Sequence, residues 1–265
     1  MRYYHEHPVF QGVSDMLVAH RSLSWSQLAL MLCVVPAVSF AGPPFQTDDP
    51  EPVEYRHWEV YGFANGNHVS DESSGVIPAV EVNYGVVPDV QLHLIAPLAY
   101  DQQSERHAGY GDTELGIKYR FVQEDDHGWR PQAGVFPLVE LPTGNAERSL
   151  GAGHTQLFIP VWVQKSIGDW TMYGGGGYWF TPGDSSDNHW FMGWLIQRQL
   201  THRLVLGAEL FHETAGMSEA SSGFNAGGVF DFTDHYHLLF SAGRGLQNVA
   251  QTNVSSYYIG FQWTS

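Results

Sequence analysis

The sequence predicts an all-β fold, an antiparallel transmembrane β-barrel of about twelve strands, and three observations predict it. Beyond Tyr55, apolar residues fall on every second position in segments of about ten residues, the period of a strand and not of a helix. The connections between segments alternate between short and long. Aromatic residues gather at the segment ends.

The strand pattern is clearest where Leu115, Ile117, Tyr119 and Phe121 alternate with Glu114, Gly116, Lys118 and Arg120. It recurs at the end of the chain, where Tyr257, Ile259, Phe261 and Trp263 face one way and Ser256, Tyr258, Gly260 and Gln262 the other. Taken in order, the segments start near Tyr55, Val76, Val90, Gly111, Trp129 and His154, then Trp170, His189, Arg203, Gly223, His235 and Asn253. Short turns are expected at 87–89, 168–169, 201–202 and 233–234, and long polar loops at 70–75, 102–109, 143–151, 183–188, 214–222 and 245–252. The connection at 123–128 is longer than its short-rim neighbours. Short turns on one rim and long loops on the other is the layout of an outer-membrane barrel, and an even strand number puts both termini on the short-turn rim. Aromatic residues then sort into two levels. Trp58, Phe121, Trp170, Tyr236 and Trp263 lie near the short turns, and Tyr100, Tyr110, Phe180, Trp190 and Tyr257 near the long loops, as the two membrane interfaces select.

A closed wall follows from the solvent, because hydrocarbon offers backbone groups no hydrogen-bond partner and a spanning sheet must satisfy them all between strands. The competing reading is an exported soluble β-sandwich or lipocalin-like barrel, whose strands also alternate. Lipid is favoured because the apolar face runs through every segment without a charge, while charged residues outside loops take the opposite face.

Composition narrows the function classes. Charged residues make up 15% of the 265 residues, below the roughly 25% of soluble domains, so a large polar exterior is not expected. Lys and Arg number 12 against 28 Asp and Glu, and the net charge of −16 excludes a nucleic-acid partner. The single cysteine, Cys33, excludes a disulfide framework or a cysteine zinc site. It lies in LALMLCVVPAVSF, residues 28–40, an apolar run that follows His20 and Arg21 and ends on small residues up to Ala41. This has the form of a secretory signal, too short for a transmembrane helix. The expected organisation is a signal peptide over 1–41, with Met16 as an alternative start, a periplasmic segment or plug over 42–54, and the barrel over 55–265. The segment GPPFQTDDPEPV, 42–53, is too rich in proline for a strand and long enough to fold into the barrel mouth.

If the apolar set faces lipid, the lumen receives Glu81, Asn83, His93, Glu114, Lys118 and Arg120 from the first half of the barrel. Gln156, Glu209, Asn225 and Asp231 follow from the second. These are the candidate lumen-lining residues, and they either contact solute or close into ion pairs. Phe136, Leu138, Phe158, Trp162, Phe191, Leu195 and Phe211 also point inward, which suits a hydrophobic solute or packing on an inserted segment. Pro97, Pro137 and Pro160 each remove a ladder bond inside a strand. The glycine run 174–177 leaves a stretch of wall without side chains, for curvature or for close packing.

The stretch TDDPEPVEYRHWE at 47–59, with NYGVVPDVQLHL at 83–94 and GDTELGIKYRF at 111–121, resembles a bacterial family of transporters associated with a meta-pathway of phenol degradation. The resemblance spans essentially the whole chain after residue 41. It implies an outer-membrane β-barrel with a solute-transport role, and it carries over no binding residues. One departure is the end of the chain, where Thr264 and Ser265 follow Trp263 although such barrels finish on an aromatic residue.

The expected function is a porin-like channel in the Gram-negative outer membrane, passing small, hydrophobic or aromatic solutes by passive or facilitated diffusion. Its partners would be outer-membrane lipid, a small-molecule solute and the barrel-assembly machinery. The alternatives are a non-conducting structural or surface-interaction barrel and a lipid-modifying enzyme. Among the fourteen histidines there is no GxSxG elbow, HExxH helix or calcium loop, so no catalytic residue, metal or cofactor is expected.

Overall fold

The computed structural model describes residues 43–265 apart from 71, 103–104, 126–127, 184 and 217–218. The signal-peptide expectation at 1–41 lies outside the described residues.

Fourteen strand segments form one antiparallel sheet that closes on itself. They are β1 (Trp58–Val69), β2 (Glu72–Val87), β3 (Val90–Gln102), β4 (Arg106–Tyr110), β5 (Thr113–Val122), β6 (Gln132–Val135) and β7 (Leu138–Leu141). The second half holds β8 (Gln156–Ile167), β9 (Trp170–Phe180), β10 (His189–Thr201), β11 (Leu204–Glu213), β12 (Ser221–Asp231), β13 (Tyr236–Gln247) and β14 (Ser255–Thr264). Two pairs act as single staves. β4 and β5 both pair with β3, and β6 and β7 both lie between β5 and β8, so the wall has twelve staves as the period predicts. Pairing of β1 with β14, from Glu59 opposite Thr264 to His68 opposite Ser255, closes the ring and puts both ends of the barrel chain on the short-turn rim.

Both breaks sit beside prolines. Gly111 and Asp112 separate β4 from β5, and Gly111 donates its N–H to the Pro97 carbonyl at 3.0 Å. Phe136 and Pro137 separate β6 from β7, where Ile117 donates to the Pro137 carbonyl at 3.1 Å and Phe136 to the Pro160 carbonyl at 3.4 Å. Each proline lacks a donor, yet its carbonyl still takes a bond from the neighbouring stave, so the wall is bridged at all three. On the long-loop rim the strands reach further than the sequence reading expects. β1 and β2 approach within three residues of each other, and β4 occupies part of the expected 102–109 loop.

Burial is inverted relative to a water-soluble fold. Leu92, Leu94, Ile117, Ile159, Trp194, Leu210, Ile259 and Phe261 are exposed, while Glu81, Asn83, Gln91, Lys118, Gln164, Glu209 and His237 on the opposite parity are buried. A soluble sandwich would bury the first set. Here only a surrounding hydrocarbon phase removes it from water, as a membrane does.

The glycine run in β9 is packed on both faces. A methyl on inward Gly177 would overlap the Phe158 ring, and one on outward Gly174 would overlap the Trp194 ring.

Candidate functional site

The lumen is occupied from the short-turn rim to mid-barrel by residues 43–54. Tyr55 forms a bridge to Gly85, and Val53 N–H donates to Gln91 Oε1 at 2.9 Å, which fixes the point where the chain enters. Further in, Lys118 Nζ lies 3.0 Å from Asp48 Oδ1 and 3.5 Å from Asp49 Oδ1. Glu51 meets Arg120 Nη1 at 3.7 Å and accepts from Gln132 Nε2 at 3.2 Å and Gln164 Nε2 at 3.4 Å. The next contact along the segment is a latch. The Glu209 carboxylate accepts the backbone N–H groups of Gln46 at 3.0 Å and Thr47 at 2.8 Å, and the Asn225 amide at 2.6 Å steadies it. Gly193 lets this happen, since a side chain there would overlap Thr47. Thr47 and Asp49 are fully buried.

The candidate residues sort into three groups. Lys118, Arg120, Glu209 and Asn225 hold residues 43–54 directly or through a neighbour. Glu81, Asn83, His93 and Glu114 form a network of their own. Asn83 Nδ2 donates to Glu81 Oε1 at 2.8 Å, and the His93 ring lies 2.7 Å from Asn83 Oδ1 through Nδ1 and 2.8 Å from Glu114 Oε1 through Nε2. Asp231 and Gln156 stand nearer the rims. Asp231 contacts His237 Nδ1 at 2.7 Å, and Gln156 donates to Asp187 at 2.8 Å. Arg120 is also clamped at the short-turn rim, where Asp89 Oδ1 accepts from its Nε at 2.9 Å and Nη2 at 2.7 Å. Partial burial works against the Asp89 charge, but the hydrogen bonds from Arg120 and Gln123 and the guanidinium charge hold its carboxyl below the ordinary carboxylate range.

Above residues 43–54, on the long-loop side, the inward rings enclose a chamber of about 230 Å³. Its walls are Phe136, Phe158, Trp162, Trp179 and Phe191, with Leu138 and Glu213, and Gln46 and Asp48 form its floor. The rings fix one another. Phe158 stacks on Trp179 at 4.7 Å and 14°, and it meets Phe191 edge-on at 6.2 Å and 84°. Trp162 meets Phe191 at 6.3 Å and 72°. Such pairs add about 0.5–1.5 kcal/mol each beyond area burial, so the chamber is preformed. The Trp162 indole N–H is buried without an acceptor among the described residues.

Trp179, Glu213 and the floor residues are absent from the sequence-derived candidates. Trp179 is inward by the β9 parity that also takes in Tyr173, Gly175 and Gly177, but a run of glycines carries no apolar signal from which to read it.

A twelve-stave barrel with a polar, partly aromatic lumen and an apolar exterior is a transmembrane barrel of the bacterial outer-membrane channel class. The chain belongs to the family described as "Putative MetA-pathway of phenol degradation", whose profile matches residues 60–261. No curated protein matches it by sequence. Among solved structures it is similar to the COG4313 outer membrane channel from Pseudomonas putida F1, with a TM-score of 0.67 and 14% identity over 85% of this chain and 100% of that one. It is also similar to the NanC porin, with a TM-score of 0.55 and 11% identity over 78% and 98%. A KdgM porin in complex with disordered oligogalacturonate gives a TM-score of 0.53 and 10% identity over 78% and 98%. At these identities the likeness is one of fold.

Proposed function

We propose that this protein is a diffusion channel for small aromatic or otherwise apolar solutes, with residues 43–54 acting as a plug that must shift for passage. The observation that carries the reading is the preformed chamber of about 230 Å³, walled by five aromatic rings, directly above that segment. An aromatic molecule entering from the long-loop rim exchanges water for ring faces, a gain of about 25 cal/mol per Å² of apolar surface. A hydroxyl on the solute would accept from the Trp162 N–H and donate to Glu213 or Asp48, so hydroxylated aromatics fit the polar groups present, in keeping with the family's description. The aromatic wall favours a channel over a sealed structural barrel, because a lumen meant only to be filled has no use for an open chamber.

The test is conductance and solute flux. Purified protein in planar bilayers is expected to conduct weakly, and a variant lacking 43–53 several-fold more strongly. Cells lacking the gene should take up phenol or toluene more slowly across an intact outer membrane. Absence of conductance and of any uptake difference, even with 43–53 deleted, overturns the transport reading.

A further inference from the structure

We propose that the aromatic chamber is an organic-cation site, in which a small ammonium or quaternary ammonium group binds against the rings with Glu213 as its counter-charge. The proposal rests on the chamber being a solute site and names the charge class it selects.

The faces of aromatic rings carry partial negative charge and attract a desolvated cation lying within about 6 Å. Indole is the strongest such partner, and two of the five rings here are tryptophans, Trp162 and Trp179. One instance lies beside the chamber. Lys118 places its ammonium 4.8 Å from the centre of the Phe136 ring, and its charge is offset by Asp48 and Asp49.

Glu213 has no such offset. It lines the chamber at the end of β11, and among the described residues no cation or hydrogen-bond donor meets its carboxylate. The charged residues that line the chamber, Asp48 and Glu213, are both acids, and no arginine is among them. The histidines beside the walls are committed elsewhere. His93, edge-on to Phe136 at 5.2 Å, contacts Asn83 and Glu114, and His189, stacked on Trp179 at 6.2 Å, contacts the Asp187 carbonyl through Nδ1. Rings on several sides and an unpaired carboxylate at the edge are what a dispersed positive charge needs. An aromatic carboxylate in the same volume would meet Glu213 with like charge, the Asp48 charge being already offset by Lys118.

Three benzene-bearing ligands of different charge separate the possibilities. Binding of benzyltrimethylammonium, its neutral carbon isostere neopentylbenzene, and benzoate to the full chain in detergent micelles is followed by calorimetry and by quenching of tryptophan emission. The cation is expected to bind at least about tenfold tighter than the isostere, and benzoate most weakly. Glu213→Gln should cost the cation about tenfold and leave the isostere unchanged. Trp179→Leu should weaken both, the cation more. If cation and isostere bind alike, or if Glu213→Gln affects neither, the cation site is overturned while the chamber stands as an apolar site. If none of the three binds, the chamber reading falls and the cation proposal falls with it.

Discussion

Glu209 shows how one lumen side chain shapes the interior. An ionised carboxylate in a half-dry barrel needs donors, and two consecutive backbone N–H groups from 46–47 supply them, with Asn225 filling a third site. Hydrogen bonds to charged groups are worth about 1.5–3 kcal/mol each, so Glu209→Ala should release the turn. Amide exchange at Gln46 and Thr47 is expected to speed up at least about tenfold, with the barrel strands unaffected. Asp89 does similar work at the other end of the lumen. Its carboxyl titrates below the ordinary range in the folded protein, so its stabilising contribution is complete above about pH 3.9, the unfolded value, and is lost as pH falls from there through the lower folded value. Asp89→Asn should therefore destabilise the barrel at pH 7, and the difference from the parent in urea unfolding should shrink progressively as pH falls below about 3.9. A gap that stays constant from pH 7 to 3 would show that the Asp89 charge contributes nothing.

At the scale of elements, the strands were legible because the barrel uses the simplest code there is. β14 alternates Tyr257, Ile259 and Phe261 outward with Tyr258, Gly260 and Gln262 inward, and this parity predicts opposite responses to one substitution type. Ile259→Arg places a charge on the lipid face and should cost about 2–4 kcal/mol if it lies near the bilayer midplane, measured by reversible unfolding in vesicles. Ser256→Arg, inward and only partly buried near the long-loop rim, should cost much less. Where the code failed, the reason was local. Splitting of the staves at Gly111 and at Phe136–Pro137 depends on carbonyls shared across neighbouring staves, which no single strand's pattern reveals. Trp179 lay hidden because the glycines that make room for the Phe158 ring interrupt the alternation that would announce it.

For the molecule as a whole, closure and the shared rim of the two barrel ends could be read from strand count and loop alternation, and the inward parity of the polar side chains from period two. The chamber could not. Its walls come from five separate stretches of chain, and its floor is Gln46 and Asp48 in a segment with no period at all. Which rings pack on one another and which stay open to a solute depends on where that segment lies, and Glu209 and Gly193, far away in sequence, seat it at Gln46 and Thr47. Net charge told of an acidic protein, but not that Lys118 and Arg120 spend their charge on residues 48, 49, 51 and 89 and leave Glu213 alone.

The contact between Thr47 and Glu209 spans 162 positions of the chain. A nascent polypeptide leaves the ribosome with its N-terminal residues first, so residues 46–47 have no seat until β11 has been made and paired. Ring closure through β14 comes later still. A stretch made early thus depends for its place on one made much later. The seating of residues 46–47 is in this sense late relative to their synthesis.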